Sequence, residues 1–126
     1  MKTTRGDRYA REIRSNETSR NDEEEITARK RKREAYSFMN EQISKTLMDL
    51  LRHTNPESAD KICKRLEKDV YRKYPTPVNR LRMAVDYIQA SGVDVTARIW
   101  AIQIGCLKER VNVATDPNNF YKFGEV

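Results

Sequence analysis

Five consecutive cations, Arg29, Lys30, Arg31, Lys32 and Arg33, stand in the stretch TARKRKREAYSF. Their chemistry is charge neutralisation: clustered Lys and Arg bind phosphates and release the counterions condensed on a polyanion. On a helix five successive side chains point all the way round, so they cannot all pack against the protein's own core. Two other readings of the run stay open. It is also what the solvated start of a long helix looks like, balanced by the acids Asp22 to Glu25, and it matches a nuclear localisation signal, a pattern frequent by chance.

A second set of cations has helical spacing. In PESADKICKRLEKDVYRKY, Ala59, Ile62, Cys63, Leu66, Val70 and Tyr74 share one side at 100° per residue. Lys61, Lys64, Arg65, Lys68 and Arg72 fall opposite. From Lys61 to Arg72 this stripe spans about 16 Å at 1.5 Å per residue, several phosphate spacings along a strand. Acids interrupt it only at the flanks, as Glu67 and Asp69, whereas most neutral faces alternate sign. Lys73, Arg80 and Arg82 carry positive charge on through YRKYPTPVNRLR. Tyr71 and Tyr74 beside them read either as stacking platforms for bases or as half-buried tyrosines.

Catalysis has no comparable footing. His53 is the single histidine, and no glycine-rich phosphate loop, nucleophile elbow or H-x-x-x-H spacing occurs. Cys63 lies on an apolar face and Cys106 in the most apolar segment, so both read as buried small hydrophobes. One histidine and two distant cysteines make no metal set. The expectation is a protein that is not an enzyme, with no catalytic residue, metal or cofactor. A helix-turn-helix over 84–104 fails as well, because its recognition helix, TARIWAIQIGCL, is too apolar to read a groove.

Apolar residues outside the expected core are the remaining candidates, and they suit a protein partner. Phe38 and Met48 fall off the main stripe of their helix. Phe120, Tyr121 and Phe123 end the chain in NFYKFGEV, which either folds back over the bundle or fills a partner's pocket.

The elements that must position these residues are helical. Ser19 or Asn21 can cap a first helix whose first turn holds Asp22 to Glu25, where negative charge suits the dipole. Glu25 and Arg29 form a favourable i, i+4 pair. Tyr36, Met39, Ile43, Leu47 and Leu50 form the apolar stripe, and Asn55–Pro56 stops the helix and starts the next. Pro75 ends the second helix and Thr76–Pro77 opens the third. The third turns Val78, Leu81, Val85 and Ile88 inward and stops at Gly92. Asp94 can cap the fourth, apolar nearly all round from Ala97 to Leu107 apart from Arg98 and Gln103. Such a helix is the buried centre of a domain or half of a subunit interface, with Trp100 buried.

The bulk properties agree with one modest domain. The chain has 126 residues, 37 % hydrophobic and 35 % charged, against roughly 45–50 % and 25 % in globular domains. A core can therefore cover only part of it, and between Met1 and Glu34 apolar residues are sparse. The formal net charge of +6 favours polyanions or acidic protein faces. No apolar leader follows MKTTRGDRYARE, and no run approaches the ~18 apolar residues of a membrane span. These features suit a cytoplasmic protein, or a nuclear one if eukaryotic, that is not secreted and keeps its thiols reduced.

The fold expected is all-α: a small four-helix bundle with a protruding first helix and a disordered charged N-terminal arm. The arm covers residues 1–20, the helical domain 21–113 with helices at about 21–53, 56–74, 77–91 and 95–112, and the aromatic tail 114–126. The function expected is that of a non-catalytic nucleic-acid-binding accessory protein, a small subunit, packaging factor or regulator. The alternative is a protein–protein adaptor, assembly factor or inhibitor that meets an acidic protein surface. A homodimer through the fourth helix is compatible with either.

Overall fold

The computed structural model describes residues 5–122, with side chains described for 23–119. Four α-helices and no strand occur among the described residues. They are α1 (Arg5–Thr54), α2 (Ala59–Leu66), α3 (Pro77–Ala90) and α4 (Arg98–Thr115). A π-helical turn (Glu67–Tyr71) continues α2, and a 3₁₀ helix (Pro117–Lys122) follows α4.

The longest element is α1. Its start at Arg5, not near Asn21, has a simple physical basis: after Gly6 no glycine or proline occurs before Pro56. Nothing therefore breaks the ladder, and within the described side chains the Glu25–Arg29 pair supports it. The arm expected over 1–20 lies outside the described side chains; only the backbone from Arg5 is given, as the first turns of α1. From Glu23 to Glu34 every side chain is exposed, and burial begins at Ala35. Those residues project about 18 Å beyond the packed part at 1.5 Å per residue.

Ala35, Met39, Ile43, Leu47, Leu50 and Leu51 form the buried stripe of α1. Complete burial of a side chain such as Ile43 or Leu47 stabilises by roughly 1.5–3 kcal/mol. Three contacts set the directions of the other helices. Arg52 meets Asp60 at 3.8 Å, and Asn40 Nδ2 donates to the carbonyl of Pro75 at 2.8 Å, so α2 runs antiparallel to α1. Trp100 Nε1 donates to Thr54 Oγ1 at 3.0 Å, so α4 also starts at the C-terminal end of α1. Pro75, two residues before α3, lies by Asn40, whereas α4 starts by Thr54 at the other end of the packed part of α1, so α3 runs antiparallel to α4. The helices thus alternate in direction, the up-down-up-down order that short connections favour.

Several junctions differ in detail from the sequence expectation. Pro56–Ser58 forms a turn, and α2 begins at Ala59. Asp94 does not cap α4. Its Oδ1 accepts from the backbone N–H and the hydroxyl of Thr96, at 3.1 and 2.6 Å, and α4 starts after Ala97. Those hydrogen bonds hold the Asp94 carboxyl below its ordinary value. Gly92 does end α3, with φ +96. The N–H of Val93 returns to the carbonyl of Ile88 at 3.4 Å, a Schellman closure that also buries Val93 near Ile88.

The burial pattern corrects three expectations. Val78 is 50 % exposed, because it sits on the first turn of α3 at the rim of the α3–α4 groove. Cys63 is half-buried and Cys106 exposed. Nor is α4 the buried centre: Trp100, Ile104, Leu107, Val111 and Ala114 pack inward, while Ile99, Ile102 and Val113 remain 40, 51 and 50 % exposed. Three neighbouring helices can cover only one side of it.

Candidate polyanion-binding surface

The protruding part of α1 carries the basic run. Arg29, Lys30, Arg31, Lys32 and Arg33 are all exposed, on a segment no other helix covers. Arg29 pairs with Glu25 at 2.8 Å, the anticipated i, i+4 pair, with 69 and 58 % of the two side chains in solvent. A pair so exposed contributes only a few tenths of a kcal/mol and leaves Arg29 recruitable by a stronger anion. Lys32 Nζ lies 5.4 Å from the centre of the Tyr36 ring. Lys30, Arg31 and Arg33 make no ion pair among the described residues.

On α2 and its π-helical continuation, Ala59, Ile62, Leu66 and Val70 are buried, and that burial fixes which way the cations point. Lys61, Lys64, Arg65, Lys68, Arg72 and Lys73 are all exposed, and none forms an ion pair among the described residues. The wide turn at Glu67–Tyr71 lets Leu66, Val70 and Tyr71 all reach the core while Lys68 stays outside.

The contacts between α1 and α2 bring the two basic sets into line. Lys61 lies at the level of Arg52, and Arg72 and Lys73 lie near the level of Asn40. The run at 29–33 continues in the same direction, about 10–16 Å beyond Asn40 along α1. Together they form a basic tract roughly 35 Å long. Because the run points all round its helix, some of its members face the same side as the α2 stripe whatever the helix rotation.

Arg80 belongs elsewhere. Its Nε donates to the carbonyl of Tyr74 at 3.0 Å and its Nη2 to that of Tyr71 at 2.8 Å. The guanidinium lies 5.0 Å from the centre of the Tyr71 ring. It ties off carbonyls left open where the helix ends, a structural task that points it inward. Tyr71 and Tyr74 are half-buried against the core, with little ring face to offer a base. Burial pushes the Tyr71 phenol up to about 12, against the lowering by a Ser44 hydrogen bond and Arg80.

The apolar candidates divide. Phe38 is 48 % exposed beside a groove between α1 and α4, whereas Met48 is half-buried in a groove against Tyr71 and Arg80. The 3₁₀ helix Pro117–Lys122 packs on α1 and α4. Phe120, Tyr121 and Phe123 lie outside the described side chains. Burial holds the Cys63 thiol above its ordinary value, which disfavours the nucleophilic thiolate. His53 is exposed in the last turn of α1. Among the described residues no cluster of His, Cys, Asp or Glu could hold a metal, and no helix is long and apolar enough to cross a membrane.

Sequence reasoning missed the inward task of Arg80, which depends on the helix ending over Arg80, something spacing cannot reveal. For α4 it offered two readings, a buried centre or half of a subunit interface, and the exposure of Ile99, Ile102 and Val113 excludes the first. No protein-family model, curated protein or solved structure matches the chain.

Proposed function

We propose that this protein is a non-catalytic nucleic-acid-binding accessory protein that grips phosphates along the basic tract of α1 and α2. The observation that carries this reading is the alignment of eleven exposed cations, Arg29–Arg33 with Lys61, Lys64, Arg65, Lys68, Arg72 and Lys73, only one of them ion-paired within the described chain. Its length, roughly 35 Å, is close to one turn of a DNA duplex. Side chains that reach phosphates fix register without reading bases, so little sequence discrimination is expected.

The test is charge reversal of Lys61, Arg65, Lys68 and Arg72 to Glu. All four are exposed, so the fold should survive. Binding to labelled nucleic acid should be lost. Unchanged binding by a folded variant would sink the proposal.

A second reading, an adaptor that meets an acidic protein surface, is favoured by the apolar exposure of Phe38, Ile99, Ile102 and Val113. Substitutions there should then affect partner capture more than charge reversal on α2 does.

A further inference from the structure

The outer face of α4 is not used by a phosphate-gripping tract. At 100° per residue, Arg98, Ile102, Gly105 and Glu109 fall within an arc about 60° wide, opposite Trp100, Leu107 and Val111. All four are exposed, and neither Arg98 nor Glu109 makes an ion pair among the described residues. Ile102 keeps 51 % of its surface in water.

Gly105 needs an explanation. A glycine inside a helix costs about 1 kcal/mol relative to alanine. Yet a Cβ at Gly105 would meet nothing within 4 Å. Nothing in the packing of the described residues calls for its small size, whereas a helix approaching from outside would.

The spacing 98, 102, 105, 109 runs four, three, four, the seam of a heptad repeat. In an antiparallel pair the two alternating seam positions face one another. One register then satisfies every member of this seam at once. It sets Ile102 over the partner's Gly105, where the absent Cβ leaves a hole for it. The same register sets Arg98 against the partner's Glu109. A two-fold axis makes each contact twice, and the surface complements itself in both shape and charge. Beside the seam, the groove by Phe38, Cys106 and Val113 lies where the partner's Ile99 would enter.

We infer that the occupant of this face is a second copy of the chain, paired antiparallel through α4. The exposed parts of Phe38, Ile99, Ile102 and Val113 amount to roughly 350 Å² per copy, a large patch for a monomer. With the polar rim added, the buried area falls at the small end of specific interfaces, which points to a micromolar dimer. This inference stands apart from nucleic-acid binding, since the basic tract lies on α1 and α2.

The experiment is sedimentation velocity of the full chain from about 10 to 500 µM, a range that brackets micromolar dissociation. Arg98→Glu, Glu109→Arg and the double variant are run beside the wild type, with circular dichroism checking the fold. The wild type should dimerise. Each single reversal sets like charges together twice and should weaken the dimer about tenfold or more. The double variant should recover wild-type association to within a few-fold. A wild type that stays monomeric throughout, single variants that dimerise normally, or a double variant that does not recover would each overturn the inference.

Discussion

Replacing Arg80 by Ala separates a structural arginine from a phosphate-binding one. The substitution removes two charge-assisted hydrogen bonds, to the carbonyls of Tyr71 and Tyr74 at 2.8 and 3.0 Å, and the contact with the Tyr71 ring. Fully buried bonds of this kind would each be worth roughly 1.5–3 kcal/mol. Arg80 is only partly buried, and water can reach the vacated carbonyls, so about 0.5–1 kcal/mol each is appropriate. The cation–π contact adds about 0.5 kcal/mol at such a site. The total is about 2 kcal/mol, a fall in Tm of roughly 10 °C for a domain of this size. Arg80→Lys keeps the charge but not the fork, and should recover less than half of the loss. Urea unfolding followed by the fluorescence of Trp100, the chain's single tryptophan, measures this. A loss under about 0.5 kcal/mol, combined with weakened nucleic-acid binding by the folded variant, would refute the capping argument and return Arg80 to the binding surface.

Three further outcomes follow from the packing. Leu47→Ala removes a side chain with 0 % exposure and should cost about 2–5 kcal/mol in urea unfolding, depending on how far the core relaxes. The Tyr71 phenol, raised to about 12 by burial, stays neutral in the folded chain while the unfolded chain ionises near 10. Its contribution is intact below pH 10 and is lost as pH rises from 10 through 12. The loss is about 2–3 kcal/mol, and Tyr71→Phe should flatten that part of the stability–pH curve. Gly105→Ala meets open space, so it should raise the thermal stability of the monomer by about 0.5–1 kcal/mol. The same change should weaken association in sedimentation, because it fills the hole for Ile102.

Helix type and approximate position were legible in the sequence because two strong signals agreed. Met39, Ile43 and Leu47 repeat at helical spacing, and prolines at 56, 75 and 77 punctuate the chain. Gly92 was legible too, since a positive φ at a helix end selects glycine. Boundaries were less so. Spacing alone could not show that Asp94 would bond Thr96 instead of capping α4, or that the end of α2 would widen into a π turn. The exposure of the α2 cations followed from the apolar residues opposite them, which must be buried, and that of Arg29–Arg33 from five consecutive charges that no single core could cover. Whether the two basic sets meet depends on helix direction, a tertiary fact carried by the contact of Asn40 with Pro75. Arg80 shows the limit of charge counting: in sequence it continues a basic tract, and in the fold its hydrogen bonds turn it inward.

The central claim, that the α1–α2 tract grips phosphates, is tested most directly by the salt dependence of nucleic-acid affinity. Fluorescence anisotropy with labelled single- and double-stranded DNA and RNA, at about 50 and 200 mM salt, provides the slope. If about five of the exposed cations engage phosphates of a duplex, log K should fall with log salt at a slope of roughly −4 to −5. That is a loss of roughly 10²–10³ in affinity across this range. Reversal of Lys61, Arg65, Lys68 and Arg72 should abolish the binding. No binding at about 50 mM salt, or an affinity that does not respond to salt, would contradict the account and leave Arg29–Arg33 as a solvated stretch of α1.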